Sequence, residues 1–263
     1  MIVNNLPRGH HVEMETLCTS PGAVEPRRIG VVTPYDFAQD RELWRWVPEH
    51  VDLHLTRTPY QPLPVGLDQA ELVGAPQVVA QCTIDLSAIS PLVIAYACTS
   101  GSFVGGLTGQ EEIISSVLAT GVPAAVTTSG AIVQALATLD IHRVAVATPY
   151  DDIIAGALAG FLSEAGLQVT GVRSLGLTSR IWEVDPPTTA ELIRHSARIG
   201  GEAVVVSCTN LATYDLIAPL EAELGLPVLT ANQVTMWAAL RAINACAVGP
   251  DQHLVRHGEE VAA

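Results

Sequence analysis

Thr33-Pro34-Tyr35-Asp36 is answered later in the chain by Thr148-Pro149-Tyr150-Asp151. Cys98-Thr99 is answered in the same order by Cys208-Thr209, and Gly121-Val122-Pro123 by Gly225-Leu226-Pro227. The spacing between copies drifts only slightly, so two structural units of like topology follow one another. Between these landmarks, short β-branched runs alternate with longer helical patterns. The first unit reads as strands Ile29 to Val32, Val51 to Thr56, Leu92 to Ala97 and Pro123 to Thr127. The second reads as strands Val144 to Ala147, Val169 to Ser174, Ala203 to Ser207 and Val228 to Thr230. Leu92 to Ala97 is almost wholly apolar, as a strand buried on both faces of a parallel sheet must be. Such alternation predicts an α/β protein of two pseudo-symmetric lobes, each a mostly parallel four-stranded sheet flanked by helices, with the active site between them.

The expected division is an N-terminal arm over 1–27, a first lobe over 28–140, a second over 141–245 and a C-terminal tail over 246–263. Helices are expected over Asp40 to Val47 and over Leu67 to Ile84, the latter as one piece, with further helices after each later strand. The arm is polar and without period, and has neither the basic start nor the apolar centre of a secretory signal.

Composition narrows the functional classes. Net charge is −14, from 27 acidic and 13 basic residues, which argues against nucleic acid and anionic membrane as partners. No apolar run approaches the roughly 20 residues of a membrane span, so the cytoplasm is the expected compartment. All the basic residues are arginine. The absence of lysine rules out a lysine Schiff base and a Walker A phosphate loop. No Gly-x-Gly-x-x-Gly follows a strand, and no cofactor is expected. His50 and His54 flank a strand-like run in which their spacing does not aim two imidazoles at one ion, so no metal is expected. Asp151-Asp152 reads as a helix-capping pair. Trp44, Trp46, Arg41 and Arg45 read as packing between lobes or subunits.

The five cysteines, at 18, 82, 98, 208 and 246, show no Cys-x-x-Cys spacing, so free thiols are expected. Cys18, Cys82 and Cys246 read as small buried apolar residues. Cys98 and Cys208 differ, because each ends a buried strand and each precedes threonine. Open α/β sheets place ligands at that edge, and paired thiols on facing lobes can add and remove a proton on opposite sides of one carbon. Backbone N–H groups of the two turns can help a thiol ionise and attract a carboxylate. Tyr150 is a candidate donor to a carboxylate or enolate oxygen. Tyr35, Thr99, Ser100, Thr209 and Asn210 are candidates for the rest of a carboxylate-binding rim.

At these residues the chain resembles the aspartate/glutamate racemase superfamily, in the branch that holds arylmalonate decarboxylase and maleate cis-trans isomerase. The resemblance runs over about residues 28 to 245 and is most specific from His142 to Tyr150, at Arg173-Ser174-Leu175-Gly176 and at Ser207-Cys208. It implies a cofactor-independent site between two lobes, a small carboxylate substrate, and a homodimer or higher homo-oligomer. The decarboxylase looks different at position 98, where it has glycine and keeps only the second thiol. Amino-acid racemases usually follow the second cysteine with Thr-His, whereas this chain reads Cys208-Thr209-Asn210. The maleate isomerase has both cysteines and the Tyr150 equivalent, but asparagines where this chain has Tyr35-Asp36-Phe37 and Thr178-Ser179-Arg180. The implied activity is therefore a two-cysteine isomerase of a small dicarboxylate, with maleate to fumarate the best single choice. Decarboxylation of a substituted malonate or racemisation of a carboxylic acid by the same cysteines is the alternative. Non-catalytic carboxylate binding is a third.

Overall fold

The computed structural model describes residues 27–249 and 251–260. The arm expected over 1–27 therefore lies, apart from Arg27, outside the described residues. The first half runs β1 (Arg27–Thr33), α1 (Asp40–Leu43), β2 (Val51–Arg57), α2 (Leu67–Val73), α3 (Pro76–Leu86) and β3 (Val93–Tyr96). It continues with α4 (Thr99–Phe103), α5 (Gly106–Leu118), β4 (Ala125–Thr127) and α6 (Thr128–Thr138). The second half runs β5 (Arg143–Thr148), α7 (Asp152–Glu164), β6 (Gln168–Ser174), α8 (Pro186–Ala197) and β7 (Ala203–Val206). It ends with α9 (Tyr214–Leu224), β8 (Val228–Thr230), α10 (Ala231–Ala242) and α11 (His253–Glu260).

The strands form two four-stranded sheets in the orders β2-β1-β3-β4 and β6-β5-β7-β8, and every pairing is parallel. The second order is the first one repeated. In each sheet the chain steps outward from the first strand to the second, then crosses back to the other side for the third. That reversal opens a crevice at the carboxyl ends of β1 and β3, and of β5 and β7. Every residue of β3 and of β7 is buried, because helices cover both faces of the sheets.

Two departures from the sequence reading stand out, the first of them beside the site. The single helix expected over Leu67 to Ile84 is broken at Gly74-Ala75 into α2 and α3. Pro76 offers no N–H and disfavours helical geometry at Ala75, which is extended at ψ 125°. A Cβ on Gly74 would overlap the Gly101 carbonyl, so this glycine lets α2 close on α4. The C-terminal segment is also more than a tail. Leu254 and Val255 of α11 are buried, and Gln252 accepts from the Trp46 indole N–H at 2.8 Å.

The halves interlock. α10 follows β8 but packs against β3, β4 and α6 of the first sheet, with the Thr128 and Thr235 hydroxyls 2.8 Å apart across the contact. Buried Glu42 of α1 accepts from the Thr213 N–H at 3.0 Å, the Thr213 hydroxyl at 2.8 Å and the Asn232 amide at 3.3 Å. Trp46 packs against Tyr214 with the rings tilted by 53° and their centroids 4.8 Å apart, and Arg45 lies 3.6 Å over the Tyr214 ring while pairing with Asp215. Trp46 and Arg45 are thus packing between lobes, whereas Trp44 and Arg41 are exposed. Among the described residues no single helix is long and apolar enough to cross a membrane.

Candidate active site

The carboxyl ends of β1, β3, β5 and β7 meet across the seam between the lobes. Cys98 follows β3 in extended geometry (φ −143°) and stands at the N-cap of α4. Cys208 follows β7 with φ +92°, a region that L residues with a side chain rarely enter. No helix starts there until Tyr214, so the two copies of the Cys-Thr pair end their strands differently. They are also joined directly, since the Cys208 N–H donates to the Thr99 hydroxyl oxygen at 3.3 Å.

Both thiols are buried, and burial pushes both up. For Cys98 the Gly101 N–H and the Tyr96 and Ser100 hydroxyls oppose that shift. For Cys208 the Tyr150 hydroxyl and the Asn210 N–H oppose it, the latter at 3.4 Å from the sulfur. The Cys208 thiol nonetheless stands at about 12 and is protonated at neutral pH. Tyr150 is buried, with its hydroxyl in hydrogen-bond contact with Cys208 and Ser100.

One small cavity collects Cys98, Thr99, Ser100, Tyr150, Cys208, Thr209 and Asn210, together with Pro34, Asp36, Val65, Gln69 and Ile181. It holds about 20 Å³, enough for about one water molecule. Its roof is made of two loops, one from each lobe, joined by the Val65 N–H donating to the Thr178 carbonyl at 2.7 Å. Outside the roof lies a cleft of about 360 Å³ walled by Tyr35, Tyr60, Leu63, Arg180 and Trp182.

Seven of the eight residues expected at the site line this cavity, and Tyr35 does not. Its hydroxyl donates to the Leu63 carbonyl at 3.2 Å and its ring meets the edge of Tyr60, which puts it in the outer cleft. The repeated Tyr-Asp pair has traded places between the lobes. In the first, Asp36 faces the thiols and the tyrosine turns outward; in the second, Tyr150 faces them and Asp151 caps α7 by accepting the Ile154 N–H at 3.0 Å. Asn210 lines the cavity, but its amide is engaged elsewhere: Nδ2 donates to the Asp36 carbonyl at 3.2 Å and Oδ1 accepts the Ala38 N–H at 2.9 Å.

Sequence reasoning missed Asp36, Gln69, Val65, Ile181 and Tyr96. Tyr96 had a signal, being a polar tip in the otherwise apolar run before Cys98. Its hydroxyl donates to the Val73 carbonyl at 2.8 Å and lies beside the Cys98 sulfur. A Cβ on Gly101 would overlap that hydroxyl, so glycine is needed there. Of the remaining cysteines, Cys82 is buried as expected, Cys246 is exposed, contrary to the reading of it as a core residue, and Cys18 lies outside the described residues. Among the described residues no cluster of three or more metal-ligating side chains exists.

This geometry has relatives. The profile of one protein family, arylmalonate decarboxylase, matches residues 66–253. The chain belongs to the arylmalonate decarboxylase family. It is 35% identical over 154 residues to an arylmalonate decarboxylase of Bordetella bronchiseptica, a match covering 57% of this chain and 64% of that enzyme, just under two thirds of its length. It is 30% identical over 174 residues to a maleate isomerase of Nocardia farcinica, covering 62% of this chain and 68% of that one. Among solved structures, a double mutant of arylmalonate decarboxylase in its liganded form, with one glycine changed to cysteine and one cysteine to serine, matches with TM-score 0.80 and 27% identity. That match covers 87% of this chain and 98% of the other. A cysteine-to-serine mutant of the Nocardia maleate cis-trans isomerase, carrying a covalently bound succinylcysteine intermediate, matches with TM-score 0.76 and 25% identity over 88% of this chain and 98% of that one.

Proposed function

We propose that this protein is a cofactor-independent isomerase of a small dicarboxylate, converting maleate to fumarate through a covalent adduct on Cys98. The observation that carries this reading is the presence of two thiols, one from each lobe, in a single cavity beside Tyr150. The succinylcysteine captured in the Nocardia relative is the adduct that such a pair would make. Cys98 first gives its proton to water, and the thiolate so formed is held by the Gly101 N–H and the Tyr96 and Ser100 hydroxyls. It adds to one alkene carbon, and the electron pair of the double bond moves to its neighbour, where the adjacent carboxylate stabilises it. Cys208, held protonated near 12, donates its proton to that neighbour. Rotation about the new single bond follows; the Cys208 thiolate then takes the proton back, the carbon-sulfur bond breaks, and fumarate leaves. Tyr150, Thr99, Ser100 and Thr209 supply hydroxyl donors to the carboxylates, and the Tyr150 contact offsets charge on Cys208 between steps.

A second reading, decarboxylation of a substituted malonate with Cys208 as the proton donor, is favoured by the 35% identity to the Bordetella enzyme. Incubation with maleate, arylmalonates and chiral carboxylic acids in heavy water, followed by proton NMR, separates the readings. The expected result is fumarate from maleate, lost in both Cys98→Ala and Cys208→Ala. Full turnover in either variant rejects the two-thiol scheme, and a Cys98→Gly variant that releases carbon dioxide as fast as the parent moves the assignment to the decarboxylase.

A further inference from the structure

We propose that Asp36 binds the substrate as an uncharged carboxylic acid, donating a hydrogen bond to one of its carboxylates, and thereby sets an upper pH limit on the site. This rests on the dicarboxylate reading above. Asp36 lines the cavity with both thiols and Tyr150, and no arginine or histidine is among the described residues that line it. Its loop is fixed in place. The Asn210 amide clamps the main chain at Asp36 and Ala38, the Tyr35 N–H donates to the Thr58 hydroxyl at 3.2 Å, and the Phe37 N–H donates to the Pro34 carbonyl at 3.1 Å. The side chain has no capping role, since the N-cap of α1 is Gln39 and no side chain caps it, whereas its counterpart Asp151 caps α7.

Electrostatics then choose the protonation state. The groups facing Asp36 are Cys98 from the end of β3, Cys208 from the end of β7, Tyr150 from the end of β5 and its neighbour Tyr35. The nearest cation along its loop, Arg57, is engaged with the Asp40 carboxylate at 2.8 Å and the Phe37 carbonyl at 3.2 Å. Arg180, which lines the outer cleft beside Asp36, is paired with Glu183. An ionised Asp36 pushes both thiols up, and would face a dianionic substrate and a thiolate in a cavity that no arginine lines. Like charges that share a site keep a proton between them. Burial already holds the Asp36 carboxyl above the usual carboxylate range. The proton kept by Asp36 makes an O–H···O⁻ bond to the substrate, which is among the stronger hydrogen bonds available. Asp36→Asn retains a donor that cannot ionise.

Two measurements on the whole protein test this. Calorimetric titration with succinate, which has no double bond to isomerise, is run in buffers of different ionisation enthalpy at a series of pH values from about 6 to about 8.5, upward from the ordinary carboxylate range to that of a free thiol. Above the Asp36 transition wild type takes up close to one proton per succinate, and D36N takes up none. In the maleate assay the ratio of D36N to wild-type kcat/KM climbs about tenfold for each pH unit above the Asp36 transition. D36A, which has no donor, binds succinate more weakly at every pH. Equal proton uptake in wild type and D36N overturns the proposal, as does a rate ratio that stays flat with pH. If D36N does not fold, absence of proton uptake by wild type at every pH in the series overturns it alone. Asp36-dependent uptake without maleate turnover keeps Asp36 and removes the isomerase reading. Turnover without Asp36-dependent uptake does the reverse.

Discussion

At the level of single residues, Cys208 carries backbone strain that Cys98 does not. A side chain at φ +92° costs on the order of 1–3 kcal/mol and persists only where the surroundings over-determine it. Here they do so through the Thr99 oxygen that accepts the Cys208 N–H and the Asn232 amide that donates to the Thr209 carbonyl at 2.9 Å. Glycine adopts such a φ freely. Cys208→Gly is therefore expected to be more stable than Cys98→Gly by about 1 kcal/mol or more, although both lose the isomerase activity. Urea unfolding of the two variants measures this, and equal midpoints would show that the strain is absent. The repeated Cys-Thr text made both thiols visible in the sequence. It could not reveal the strain, because the same dipeptide ends one strand extended and the other left-handed.

At the level of elements, the seam is held by polar contacts that no periodic pattern announces. Glu42 sits in a four-residue helix, α1, yet it is buried and accepts from three donors at the start of α9 and on α10. Glu42→Ala leaves the Thr213 N–H and one proton of the Asn232 amide without an acceptor, while the Thr213 hydroxyl keeps Thr230, and is expected to destabilise the fold by about 2–3 kcal/mol. Burial holds the Glu42 carboxyl above its ordinary value, against the opposing pull of Thr213 and Asn232. For an acid raised on folding, its contribution is complete below the unfolded pKa and is lost as pH rises through the folded one. Glu42→Gln is therefore expected to flatten the fall in stability over that window, and an unchanged slope would assign the fall to other groups. The strands themselves were legible as apolar runs. The crossing of α10 to the first sheet was not, because a helix buried on nearly all sides gives no periodic clue to its partner. The turn after Thr33-Pro34 was opaque for a related reason: rotation by one residue decides whether Tyr35 or Asp36 faces the thiols, and the repeat is silent on it.

For the whole molecule, the cavity is too small for its proposed substrate. About 20 Å³ accepts one water, while a four-carbon dicarboxylate is several times larger, so the lobes or their loops must part before it enters. The roof is the place to part, because Val65 and Ile181 come from different lobes and one described backbone hydrogen bond, Val65 to Thr178, joins their loops. Closure over bound substrate excludes water from the thiolate and strengthens each hydrogen bond to the carboxylates. Trimming the roof shifts this balance. Val65→Ala or Ile181→Ala removes packing from the closed form alone, and about 1 kcal/mol of lost packing raises the open fraction about fivefold. Alkylation of Cys98 and Cys208 by iodoacetamide reads that fraction, since both sulfurs are covered when the roof is shut. The expected result is alkylation about fivefold faster in either variant, a higher KM for the substrate, and protection restored by saturating succinate. Unchanged alkylation in both variants would mean that the thiols are reached by another route, and that the two loops are a fixed wall.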